Sequence, residues 1–230
     1  MIGFWDYTVW LTYLSLLSAF CGVLVTLHGN GHPFMGAFFL MFCGLCDSFD
    51  GMVARTKKDR SQMAKDFGVQ IDSLADLVAF GFLPAAIGDG MLRAGAQLSD
   101  VPHIRSGQPT IFLFAIMMFY VLAAMVRLAY FNVTEEERQK MTVGSRKYYI
   151  GLPVTISALI FPTVLLIQYV LPQDVTYAYF AVLLITAFLF LGKFRVPKPK
   201  LKEILVLVGI GGVEFVILLI LRTIISYRGR

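Results

Sequence analysis

Apolar runs long enough to cross a bilayer alternate with short polar, basic stretches along the whole chain. Crossing the ~30 Å hydrocarbon layer takes about 20 predominantly apolar residues in a helix. Seven stretches meet or approach that length: 7–27, 33–54, 69–91, 109–132, 150–171, 175–192 and 203–226. The pattern predicts an all-α fold, a polytopic bundle of membrane helices. No internal repeat, low-complexity tract or linker interrupts it, so 1–230 is expected to form a single integral membrane domain. The first run begins too near Met1, without a basic leader, to be expected to act as a cleaved signal. The last run is ambiguous. Gly209, Gly211 and Gly212 fall near its middle, so it reads either as one span or as two short helices meeting at the glycines.

Composition agrees with the pattern. Hydrophobic residues make up 57% of the chain and charged residues 15%, where soluble domains carry about 25% charged residues. The net charge of +5 would suggest a nucleic-acid partner in a soluble protein, but its distribution here points to none. Connections 55–68, 133–149 and 193–202 hold 5, 4 and 5 Lys or Arg, whereas 28–32, 92–108 and 172–174 together hold only Arg93 and Arg105. Positive charge accumulates on the cytoplasmic side, which places the first set and the N-terminus in the cytoplasm. Trp5, Tyr7, Trp10 and Tyr13 are expected at the headgroup level, where such rings concentrate.

The chemistry concentrates in 47–76, DSFDGMVARTKKDRSQMAKDFGVQIDSLAD. Asp47 and Asp50 are three apart and Asp72 and Asp76 four apart, so each pair shares a helix face. The basic connection between the two spans makes them antiparallel neighbours, and the pairs can converge at the cytoplasmic surface. Carboxylates brought together in a low-dielectric site need a counter-charge. Mg²⁺ or Mn²⁺, one or two per site, supplies it and typically binds carboxylates together with substrate phosphates. Gly51 and Ala54 keep one face small for a bulky ligand, and Arg55 offers a planar cation suited to phosphate.

Asp47-x-x-Asp50-Gly51-x-x-Ala54-Arg55 followed by Gly68-x-x-x-Asp72-x-x-x-Asp76 resembles the signature of the CDP-alcohol phosphatidyltransferases. The resemblance implies six core transmembrane helices, with one or two extra C-terminal segments here, and a homodimer in the cell membrane. It implies Asp47, Asp50, Asp72 and Asp76 at the metal, with Asp76 also the general base. Gly51, Ala54, Arg55 and Gly68 would hold the CDP and phosphate. The segment FGVQIDSLADLVAFGFLPA, the 12 residues between Arg55 and Gly68, Arg127-Leu-Ala-Tyr-Phe-Asn132 and Gly151-Leu-Pro153 resemble the serine-using branch. That branch usually carries Arg where Tyr130 stands. The expected substrates are CDP-diacylglycerol and L-serine, with phosphatidylserine and CMP as products. Arg127, Asn132 and Lys147 are candidates for the acceptor pocket. Other alcohols, such as glycerol 3-phosphate or inositol phosphate, or an archaeal CDP-lipid, are the nearest alternatives. An intramembrane prenyltransferase or a cation transporter would also use clustered Asp, but neither needs Gly51, Ala54 and Arg55.

The remaining polar residues are read more simply. Cys21, Cys43 and Cys46 are expected as small buried helix residues, His28, His32 and His103 as solvated loop residues, and Glu135, Glu136, Glu137, Arg138 and Lys140 as a charged helix face. Glu214 is expected to be packed or interfacial, and Pro197 and Pro199 to stiffen a basic loop.

Overall fold

The computed structural model describes residues 2–28, 32–98, 107–141, 148–170, 174–197 and 201–228. Helices dominate: α1 (Trp10–Leu27), α2 (Pro33–Thr56), α3 (Gln62–Asp76), a wide π turn (Leu77–Phe82), α4 (Leu83–Leu98), α5 (Gly107–Met141), α6 (Ser157–Val170), α7 (Thr176–Leu191) and α8 (Leu201–Arg228). Among the described residues, four helical stretches are long and apolar enough to span a bilayer: Trp10–Leu27, Pro33–Thr56, Gln62–Ala94 and Ile111–Arg138. Three shorter apolar stretches follow, Val154–Ile167, Thr176–Leu191 and Leu205–Ile217. These apolar helices mark an integral membrane protein.

The molecule turns soluble-protein logic outward. Leu17, Phe20, Ile111, Met118, Ile185 and Phe188 are all exposed, while Thr12, Ser15, Ser18, Thr26, Ser157 and Thr186 are buried. On α1, Thr12, Ser15, Ala19, Gly22 and Thr26 recur at helical spacing on the buried face. Small residues at such positions let helices approach closely, the usual means of packing in lipid. The core is built around Leu40, Phe80, Leu83, Tyr120, Phe161 and Tyr179.

Several expectations are corrected. The connection expected at 55–68 shrinks, because α3 begins at Gln62. Ser61 caps it, its hydroxyl accepting from the Ala64 amide at 3.2 Å. The run expected as a span from residue 150 starts with other structure. Tyr148–Ile150 is a strand, β1, followed by a 3-10 turn at Val154–Ile156. β1 pairs antiparallel with β2 (Arg195–Pro197), Tyr149 opposite Val196, so Pro197 belongs to a two-stranded ribbon; Pro199 lies outside the described residues. Helix α8 runs unbroken through Gly209, Gly211 and Gly212, which removes the hairpin alternative. All three cysteines are free, and Cys21 is exposed rather than buried.

His28 and His32 are exposed; His103 lies outside the described residues. Arg138 pairs with Glu135 at 2.6 Å on the far end of α5. Glu214 is packed, accepting from Thr163 of α6 at 2.5 Å.

The π turn has a cause in the sequence. Pro84 has no N–H to give the Phe80 carbonyl one turn earlier. That carbonyl instead accepts from the Tyr120 hydroxyl of α5 at 2.7 Å, and the same hydroxyl lies 2.9 Å from Ser157 Oγ of α6. One side-chain oxygen thus ties three segments in the bundle interior.

Candidate active site

Helices α2 and α3 carry the acidic residues toward each other. One carboxylate oxygen from each of Asp47, Asp50 and Asp72 lies within 4.8 Å of the other two. Thr12 of α1 donates to Asp50 Oδ2 at 3.4 Å. Asp76, one turn beyond Asp72, is buried at 8% exposure. It interacts electrostatically with the other three carboxylates while standing outside the close trio.

The donor set fits a hard cation. All donors are carboxylate oxygens, the ligands that Mg²⁺ and Mn²⁺ prefer. Oxygens held at about 2.0–2.6 Å from one ion lie no more than roughly 5 Å apart, and the trio meets that limit.

Two arginines lie over glycines of the motif. Arg55 is exposed at the end of α2 and folds back over Gly51, where an added Cβ would sit 3.4 Å from Arg55 Nη1. Gly68 is covered in the same way by a residue that the motif does not single out. A Cβ there would sit 2.8 Å from Arg60 Nη2. Arg60 donates to the Ala64 carbonyl at 2.8 Å, and its buried Nε has no protein partner. The only sequence signal for Arg60 is its place at the end of the short α2–α3 connection. Ala54 is half-buried on α2.

The two downstream sequence marks meet in space. Arg127 is buried in α5, and its Nε donates to the Leu152 carbonyl of the Gly-Leu-Pro segment at 3.1 Å. Its guanidinium lies 5.5 Å from the Phe131 ring centre. Gly151 adopts φ +74°, and a Cβ would stand 2.9 Å from the Gly192 carbonyl and 3.0 Å from that of Phe190; only glycine fits. Its amide donates to the Phe194 carbonyl at 2.7 Å. Asn132 donates to Ser73 Oγ at 2.7 Å, tying α5 to α3 beside Asp72. Lys147 lies outside the described residues.

The N-terminal segment packs at the same end of the bundle. Asp6 pairs with Lys57 at 3.0 Å, the Tyr7 hydroxyl lies 3.2 Å from Thr56 Oγ1, and the Phe4 and Phe67 rings are 5.3 Å apart. Hydrogen bonds from Thr8, then the Lys57 ammonium, hold the Asp6 carboxyl down at about 2.

A membrane bundle with three carboxylates converging from one helix pair, and with Arg55 and Arg60 lying over Gly51 and Gly68 of the same two helices, defines a class of site suited to a phosphate ester and a hard cation. The sequence profile of the CDP-alcohol phosphatidyltransferases matches residues 7–192, and the chain belongs to that family. It is 37% identical over 151 residues to the CDP-diacylglycerol–serine O-phosphatidyltransferase of Saccharomyces cerevisiae, covering 62% of this chain and 48% of that protein. Identity to the enzyme of that name from Bacillus subtilis is 29% over 140 residues, covering 60% of this chain and 65% of the other. Against the archaetidylserine synthase of Methanothermobacter thermautotrophicus it is 29% over 148 residues, covering 64% and 52%. The chain thus spans about half to two thirds of the length of these curated relatives.

Proposed function

We propose that this protein transfers the phosphatidyl group of CDP-diacylglycerol to the hydroxyl of L-serine, releasing CMP. The observation that carries the reading is the meeting of Asp47, Asp50 and Asp72 within 4.8 Å, on a chain whose relatives bear serine-transferase names. Asp47, Asp50 and Asp72 would hold one or two Mg²⁺ or Mn²⁺ ions, with Asp76 at the edge of the same site. Such an ion, when bound, neutralises the diphosphate and makes its phosphorus easier to attack.

The chain's own residues do the rest. Arg55 and Arg60 grip phosphate oxygens from either side, each lying over a glycine that leaves room for the nucleotide. Asp76 takes the proton from the serine hydroxyl as its oxygen bonds to the phosphatidyl phosphorus. The bond to the bridging oxygen breaks, and that oxygen leaves with CMP. A buried carboxylate one turn from the phosphate site is suitably placed for this base role. Arg127 orients the acceptor side by bracing the Gly-Leu-Pro turn and offering positive charge to the serine carboxylate; Asn132, tied to Ser73 beside Asp72, and Lys147 are the further acceptor candidates.

We place the site at the cytoplasmic face of the cell membrane, where the basic connections gather, on six core helices with α8 added and in a homodimer. Packing of α8 on α2 and α6 supports reading 1–230 as one unit.

The test is CMP release by purified, lipid-supplied protein with Mg²⁺ or Mn²⁺ and a panel of serine, glycerol 3-phosphate and inositol phosphate. Serine-dependent release is expected. Release with another alcohol alone would move the acceptor, and no release with any would end the transferase reading. The archaetidylserine synthase relative gives a second arm, in which an ether-linked archaeal donor replaces CDP-diacylglycerol with serine kept as acceptor.

A further inference from the structure

A cavity of about 490 Å³ lies between α2, α6 and α8, reached also by β2. Its size falls within the roughly 300–1,000 Å³ of small-ligand sites, which are mostly apolar with a few placed polar groups. The wall is apolar, with Phe42, Leu45, Pro153, Leu159, Val208 and Phe215 among the lining residues. Its two polar side chains on α2 are neighbours, Asp47 and Ser48. The Ser48 hydroxyl donates to the Gly44 carbonyl at 2.7 Å; Thr155 adds a hydroxyl from the 3-10 turn, and the Asp47 carboxylate is the charged group of the lining. Lining residues run along α2 from Met41 to Ser48, so Asp47 stands at one end. Toward the other end Phe215 packs edge-on against Phe38, ring centres 5.0 Å apart.

We infer that this cavity seats one acyl chain of the CDP-linked lipid donor, and that α8 selects the chain's length through Gly211 and Gly212. The inference rests on the transferase reading above. The polarity gradient fixes the occupant. A ligand entering here has a head group near Asp47, where a cation held by the Asp trio would favour an anionic one, and an apolar tail along the remaining wall; a diacyl diphosphate donor has that order of parts. A free lipid has no reason to end at the acidic cluster.

Helix α8 lies beyond the matched family segment, which ends at residue 192, yet supplies Leu207, Val208, Gly211, Gly212 and Phe215 to the wall. Chain selection is therefore separable from the chemistry on α2 and α3. Gly212 lines the cavity with no heavy atom within 4 Å of an added Cβ. A larger side chain there fills the space of the lipid without displacing protein. Gly209 is equally open but does not line the cavity, which makes it the matched control on the same helix.

The experiment compares CMP release from dioleoyl and dioctanoyl CDP-diacylglycerol, with serine, in the full chain and in Gly212→Leu and Gly209→Leu. Gly212→Leu is expected to lower turnover on the dioleoyl donor relative to the dioctanoyl donor by about tenfold, the equivalent of roughly two lost buried methylenes. Gly209→Leu is expected to keep the parent ratio. An unchanged ratio in Gly212→Leu, or an equal loss on both donors, overturns the acyl site while leaving the transferase intact. A parent chain that releases no CMP from either donor with any alcohol fails at the earlier step and takes this inference with it.

Discussion

At the scale of single residues, the division of labour among the four Asp is the most exposed part of the mechanism. Asp76 stands apart from the close trio, so its removal should spare the phosphate site. Asp76→Asn is expected to lower kcat by at least about a hundredfold, the low end of a general base's usual contribution, while CDP still binds in the presence of Mn²⁺. Equilibrium binding beside a turnover assay checks this, and normal turnover would remove Asp76 as the base. Arg60 gives a second residue-scale prediction. Charge-assisted hydrogen bonds contribute about 1.5–3 kcal/mol, so Arg60→Ala should raise the KM for the donor about tenfold or more with a smaller change in kcat. The exposed Lys58→Ala, on the same connection, should leave both unchanged. Equal kinetics in the two variants would place Arg60 outside the phosphate site.

At the scale of elements, the chain was readable wherever one helix carried the whole signal. The Asp pairs announced themselves by spacing on α2 and α3, and their convergence followed from a short basic connection. What spacing could not show were contacts between segments far apart in sequence. The β1–β2 ribbon joins Ile150 to Arg195 through three-residue strands, too short for a periodic pattern. Helix α3 starts at Gln62 because Ser61 caps it, yet 62–68 is too polar to look like part of a span. The Tyr120 hydroxyl is another hidden tie, visible only once the π turn, α5 and α6 are assembled. Tyr120→Phe strips the Phe80 carbonyl of that partner, and an unsatisfied buried polar group costs about 1–3 kcal/mol. The variant should melt several degrees lower, measured by thermal unfolding in detergent; an unchanged Tm would mean that another donor reaches the carbonyl.

At the scale of the whole molecule, the N-terminal segment fastens across the α2–α3 connection, and its fastening should respond to acid. Asp6 lies below its ordinary value of 3.8, at about 2. A lowered carboxyl pKa contributes stability that is complete above the unfolded value and lost as pH falls through the folded one. Trp5 packs at a tilt against Tyr13, with ring centres 5.2 Å apart, and reports on this segment. Its fluorescence should be steady above about pH 4–5 and change between roughly pH 4 and 2. In Asp6→Asn that acid transition should be absent. A transition of the same size in both chains would assign it elsewhere.

The wide turn at Leu77–Phe82 lets one continuous rod answer to two masters. Upstream, the angular setting of α3 is dictated by where Asp72 and Asp76 must aim; downstream, that of α4 is dictated by where Leu83 and Ile87 must bury. Each residue of a helix turns it by about 100°, so the extra residue accommodated in a π turn acts as a phase shifter between them. Deleting one residue from 77–82 would restore a regular helix and force a choice between aligned carboxylates and a sealed interior.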